Sequence, residues 1–227
     1  MSKRTLVILE APWENSWDDK SRPLGMSVES FFNGLNSINQ NHHVLHSRFY
    51  DSSSFEKALN YMTAKDDQRY VIYVAAHGSN SMVHNMKLQN LVKIINGYSQ
   101  EKEIEGVLFG SCLTGNSKDH YADMLIGGKT KWVFGYKCSV KWFEGTLIDV
   151  SIINQLISIR RDAYYSEIGI IKHFSNALSM FSNKHDMGFD QRDEAVNLGI
   201  DSVTLVVQPN GQGKKPMDVT DELFDID

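Results

Sequence analysis

Residues 71–79, VIYVAAHGS, and residues 106–115, GVLFGSCLTG, each run from an apolar stretch into a turn of small residues carrying one reactive side chain. His77 is in the first turn, and Cys112 follows it by 35 positions in the second. A cysteine attacks as the thiolate, yet a free thiol at neutral pH is mostly protonated. An imidazole nearby can take that proton and return it. If the two apolar stretches are neighbouring parallel strands, both groups emerge at the same carboxyl edge, where open α/β sheets place their ligands. The pair therefore points to nucleophilic catalysis by cysteine with histidine as proton carrier. Gly78 leaves the N–H after His77 uncovered, and the Gly110-Ser111 turn presents the N–H of Cys112. Two such donors could hold an oxyanion, worth about 3–4 kcal/mol per donor in the best-studied case. From Gly115 onwards the sequence reads as a helix whose N-terminal dipole favours the thiolate. Each residue alone has a plainer reading. A free cysteine usually packs as a small hydrophobe, and a lone histidine can simply end a strand. Their placement at the ends of successive strands is what carries the chemistry.

The elements that must position this pair alternate along the chain. Short apolar runs predict strands over 5–10, 43–50, 69–76, 105–109 and 131–137. Amphipathic spacing predicts helices over 27–38, from Ser53 or Ser54 onward, over 88–98 and over 119–126. Two longer helices, over 146–160 and 166–182, and a last strand over 202–208 complete the pattern. Repeated strand–helix units imply an α/β fold: a mostly parallel sheet of about six strands with helices on both faces. Strands 69–76 and 105–109 should be adjacent and central. One domain is expected over 1–211, with an acidic, mobile tail over 212–227. A 227-residue chain with 41% hydrophobic and 22% charged residues has core enough to fold alone. Its net charge of −5 speaks against a nucleic-acid partner. No apolar run reaches the ~20 residues of a membrane span. Two cysteines beside nine methionines, and a start that enters a strand without a signal-type segment, lead to the expectation of a reducing cytoplasm.

His-Gly after one core strand, then a small residue and Cys after the next, resembles the caspase-like (clan CD) cysteine peptidases. That group includes caspases, separase, gingipains, clostripain, legumain and bacterial CHAT-domain proteins. AAHG followed by GSCLTG is most similar to the CHAT and bacterial caspase-like members. The motifs lie within 69–116; the element order fits over 4–160, and the C-terminal third shows no likeness. The resemblance implies a caspase-like three-layer sandwich and an intracellular cysteine endopeptidase. Cys112 would be the nucleophile, His77 the acid/base and the N–H groups of Gly78 and Cys112 the oxyanion hole. No cofactor is implied; the partners are a protein or peptide substrate and an activating protein or small-molecule signal. In relatives the specificity pocket is built from the loop after the first strand, the nucleophile strand and the segment after the fifth. Here these regions offer Glu14, Asp18, Asp19 and Glu144, with Trp142 beside the last. An acidic pocket favours cleavage after Arg or Lys, although each acid also reads as an ordinary solvated loop residue. Caspases proper bind Asp through arginines, and Arg22 and Arg48 make a poor match for that pair. Trp13, Trp17, Trp142 and Phe143 could wall a groove or simply pack. Cys138, at the end of a strand without flanking glycines, reads as core or pocket wall. The family analogy extends to a regulated effector of defence or cell death, gated by loops 11–25, 79–87 and 139–146.

The remaining candidates are plainer. His42, His43 and His46 straddle a strand start and read as surface positions; His84 reads as solvated. His120, His173 and His185 show no partner pattern. No spaced His/Asp/Glu set suggests a metal, and neither a Walker loop nor a G-x-S-x-G elbow is present. Two alternatives to the peptidase stay open: an inactive caspase-like interaction module, and a nucleotide or messenger binder using the strand-edge crevice. The missing Gly-rich phosphate loop speaks against the second.

Overall fold

The computed structural model describes residues 4–13, 26–38, 42–66, 68–160, 164–211 and 213–224. Strands β1 (Arg4–Glu10), β2 (His42–Arg48), β3 (Arg69–Ala75), β6 (Glu103–Gly110) and β7 (Trp132–Tyr136) form a parallel core. β11 (Val203–Val207) joins β7 antiparallel, and β12 (Met217–Asp218) joins β11 antiparallel. The order across this seven-stranded sheet is β12-β11-β7-β6-β3-β1-β2, so β3 and β6 are adjacent and central.

These strands form where both faces of a β-rich run can be buried. Every residue of Arg69–Ala75 is buried, and its side chains alternate between two separate cores. Val71, Tyr73 and Ala75 face helices α1 (Glu29–Ile38), α5 (Trp142–Ile157) and α6 (Glu167–Leu178). Tyr70, Ile72 and Val74 face α2 (Ser52–Met62), α3 (Leu88–Glu101) and α4 (Lys118–Leu125). The result is a mixed α/β architecture with helices on both sides of the sheet.

Three features differ from the sequence expectations. α2 is opened by Asp51, whose carboxylate accepts from the Ser54 N–H at 2.7 Å, so Ser54 is the third helical position and not the cap. The stretch beyond residue 212, expected as a tail, supplies β12 and buries Val219 and Leu223. Of the three loops expected as gates, two are built elements. Residues 79–87 contain the hairpin β4 (Met82–Val83) and β5 (Met86–Lys87). Residues 139–146 contain β8 (Ser139–Val140) and the first turn of α5. β8 is one edge of a small sheet completed by β9 (Asp186–Phe189) and β10 (Ala195–Asn197). In the third loop, residues 14–25, Glu14, Trp17, Asp18, Asp19 and Arg22 lie outside the described residues.

Candidate active site

The sheet register places the reactive pair. Ala75 on β3 pairs with Gly110 on β6, so His77 and Cys112 each stand two residues beyond a paired position, at the carboxyl edge. The two turns touch. A methyl group at Gly78 would meet the Cys112 carbonyl oxygen at 2.5 Å and the Ser111 Cβ at 2.8 Å, a contact only glycine allows. Gly110 is equally constrained, since its Cβ would fall 2.5 Å from the Tyr73 hydroxyl. His77 and Cys112 line one cleft of about 100 Å³.

The hairpin β4–β5 fixes the His77 turn. His84 N–H donates to the His77 carbonyl at 2.6 Å and Ser79 N–H to the Met82 carbonyl at 2.9 Å. Gly78 forms a bridge with Val83, and the bonds flanking it run through His77 and Ser79, so the Gly78 N–H is not spent in that bridge. His84 makes this turn with a φ of 52°. Beyond Cys112, Leu113 adopts φ 64°, an uncommon left-handed conformation for a branched side chain, and its N–H donates to the Cys138 carbonyl at 3.1 Å. A short 3-10 turn over Thr114–Asn116 follows, and α4 begins only at Lys118. The expected helix from Gly115 is therefore displaced, and its dipole does not begin at the thiol.

Cys112 is part-buried, and its Sγ lies 3.7 Å from the Val140 carbonyl oxygen on β8. Burial pushes its thiol above the ordinary cysteine value, with the Val140 contact opposing. His77 Nε2 lies 2.8 Å from the Trp13 carbonyl oxygen. A carbonyl only accepts, so this nitrogen carries the hydrogen and the neutral ring offers Nδ1 as base. The Trp13 ring meets His77 edge-on at 5.3 Å and Trp142 edge-on at 6.1 Å.

The expected pocket residues divide. Trp142 lines the cleft; Glu144, in the first turn of α5, does not. Cys138 is fully buried, its Sγ 3.8 Å from the Ser202 carbonyl and its thiol pushed up to about 12 by burial. It belongs to the core rather than to the cleft wall.

A carboxylate missed in the sequence does line the cleft. Asp149 on α5 is buried and accepts from the Tyr73 hydroxyl at 2.7 Å and the Tyr136 hydroxyl at 2.6 Å. Burial pushes its carboxyl up to about 7, with the two tyrosines opposing. Its sequence signal was an acid on a helical stripe otherwise occupied by Ile148, Ile152, Ile153 and Leu156.

A second missed carboxylate is Glu10, the last residue of β1. Burial alone would raise it, but donors from His46, Ser27, Trp13 and the Val28 N–H more than offset this and hold it below the ordinary value. His46 is thereby largely buried between Glu10, at 2.8 Å, and Glu29, at 3.2 Å, and is not the surface residue expected. Among the described residues, no cluster of His, Cys, Asp or Glu is arranged to hold a metal ion, and no helix is long and apolar enough to cross a membrane. No family model matches this sequence, and no match is found among curated proteins.

Proposed function

We propose that the protein is a cysteine endopeptidase of the caspase-like kind, with Cys112 as nucleophile and His77 as acid/base. The observation that carries this reading is the convergence of the two turns: Gly78 lies against the backbone of Cys112, and both reactive residues border one cleft. The parallel core with helices on both faces is compatible with the sandwich that the motif resemblance implies.

In this mechanism His77 Nδ1 takes the Cys112 proton as sulfur attacks the scissile carbonyl carbon. The resulting oxyanion is held by the N–H groups of Gly78 and Cys112. The intermediate collapses, the carbon–nitrogen bond breaks, and His77 protonates the departing amine. Water, deprotonated by His77, then attacks the thioester carbon, the carbon–sulfur bond breaks to release the carboxylic acid, and His77 returns the proton to sulfur.

The cleft supports a basic residue before the scissile bond. Asp149, the one carboxylate among the residues lining the cleft, shares it with Tyr73, Tyr136, Trp13 and Trp142. Aromatic faces attract a guanidinium or ammonium, and a buried carboxylate completes a charge-assisted bond to it. The preference expected from the sequence stands as a proposal, now resting on Asp149 in place of Glu144. The outer edge of β8, beside Cys112, offers main-chain groups to an extended peptide by strand addition. A role as a cytoplasmic effector of defence or cell death, switched by a protein or small-molecule signal, belongs to the same reading.

The test is labelling of the full chain with acyloxymethyl ketones carrying Arg or Asp beside the warhead, followed by peptide-library cleavage. The Arg reagent should modify Cys112 alone, and Cys112→Ala and His77→Ala should each abolish cleavage. Modification at Cys138, or a preference for the Asp reagent, would count against the assignment. The burial of Cys112 favours a second reading, an inactive interaction module. A thiol that reacts with simple alkylators but never turns over a peptide would support that one.

A further inference from the structure

We propose that Glu10 is a positioning residue for His77, acting through Trp13. This rests on His77 being the proton carrier, and it concerns what holds the imidazole in its working tautomer. Glu10 is 1% exposed and gathers four donors from three separate segments. One carboxylate oxygen accepts the Trp13 indole N–H at 2.6 Å and the Val28 N–H at 2.8 Å. The other accepts the Ser27 hydroxyl at 2.5 Å and faces His46 Nε2 at 2.8 Å. The last backbone bond from this end of β1 into β3 is Ala11 N–H to the Ala75 carbonyl at 2.9 Å. Trp13 lies two residues past it, and the indole bond to Glu10 ties it back to the strand end. That tie matters because the Trp13 carbonyl is the group that fixes His77 Nε2. A shift of Trp13 would release the ring to present the wrong nitrogen to Cys112. The same residue packs on Trp142, so imidazole and cleft wall are registered by one anchor.

A carboxylate can serve four donors, whereas an amide has a single acceptor oxygen and two N–H groups of its own. Glu10→Gln therefore sets donors against donors, and Trp13→Phe deletes the indole N–H while keeping an aromatic ring and the backbone carbonyl. The experiment compares the full-length protein with both variants by long-range ¹H–¹⁵N NMR of the histidine rings and by kinetics on an Arg-containing fluorogenic peptide, normalised to titrated Cys112. The wild type should show His77 as the Nε2–H tautomer alone. Each variant should show a tautomer mixture and a kcat lower by about 10–100-fold, the scale of a misplaced catalytic group. KM should change far less. If Glu10→Gln does not fold, Trp13→Phe alone decides the matter. A variant with reduced Tm but a single Nε2–H tautomer and unchanged kcat would reduce Glu10 to a structural residue and overturn the proposal. An absence of proteolysis in the wild type would sink the peptidase reading, while the tautomer comparison would still test Glu10.

Discussion

With its pKa raised by burial, the Cys112 thiol stands as S–H beside the Val140 carbonyl at neutral pH. Its alkylation by iodoacetamide should accordingly be slow at pH 7 and climb into the alkaline range, following a pKa above that of a free cysteine. A rate already saturated at pH 7 would mean a preformed thiolate. Asp149 gives a second pH signature. Its carboxyl titrates at about 7 in the fold against an ordinary 3.8. The folded state thus binds the proton more tightly, and this contribution to stability, full below about 3.8, is lost as pH rises to about 7. Asp149→Asn escapes that loss, so its gain in stability over the wild type should be greater at pH 8 than at pH 5, by a few kcal/mol. Denaturant titrations at the two pH values check this. On the proposed reading, KM for an Arg peptide should rise as pH falls below about 7, where the pocket loses its charge. Gly78→Ala should lower cleavage by roughly 100-fold or more, because the methyl meets the fixed carbonyl of Cys112 rather than a movable side chain. Cys138→Ala, in the core, should keep most activity.

At the scale of elements, β1 and α5 are fastened by a buried ionic cluster at the opposite end of the sheet. Arg4 pairs with Glu105 at 2.6 Å and donates to the carbonyls of Leu156, Ile157 and Ile159 at the end of α5. Arg69 reaches the same carboxylate at 3.3 Å. Glu105→Ala leaves two guanidinium groups without this carboxylate and should cost about 3–5 kcal/mol, read by chemical denaturation. The elements differ in how legible they were. β3 and β6 declared themselves as unbroken apolar runs, because both of their faces are covered. The two-residue strands β4, β5, β8 and β12 did not, since two residues are too few to show an alternating period. The apolar period of α5 is plain only from residue 146, yet the helix begins at Trp142, which puts Glu144 on its first turn and away from the cleft. His77 and Cys112 were legible because a small-residue turn after an apolar run is a local pattern. Asp149 and Glu10 were not, because their meaning lies in neighbours from other elements: Tyr73 and Tyr136 for one, Trp13, Val28 and His46 for the other.

For the whole molecule, the segment after residue 212 closes the sheet at β12 and covers the core with Val219 and Leu223. A chain ending at residue 211 should lose about 1.5–3 kcal/mol for each of these two side chains. Equal denaturation midpoints for the two lengths would show that the segment is dispensable. The strand order has a consequence for how the molecule comes into being. From β1 the sheet is laid down toward one side in the order in which its strands are translated, β3, β6, β7, β11 and then β12. A growing chain emerges at about 5–20 residues per second. His77 and Cys112 are therefore both synthesised before any residue of α5. Asp149, and the carbonyls that Arg4 has awaited since the first strand, arrive only with that helix. On the proposed reading, the nascent chain holds its reactive pair before it has a pocket with which to grip a substrate, and the timing of translation guards the chain that makes it.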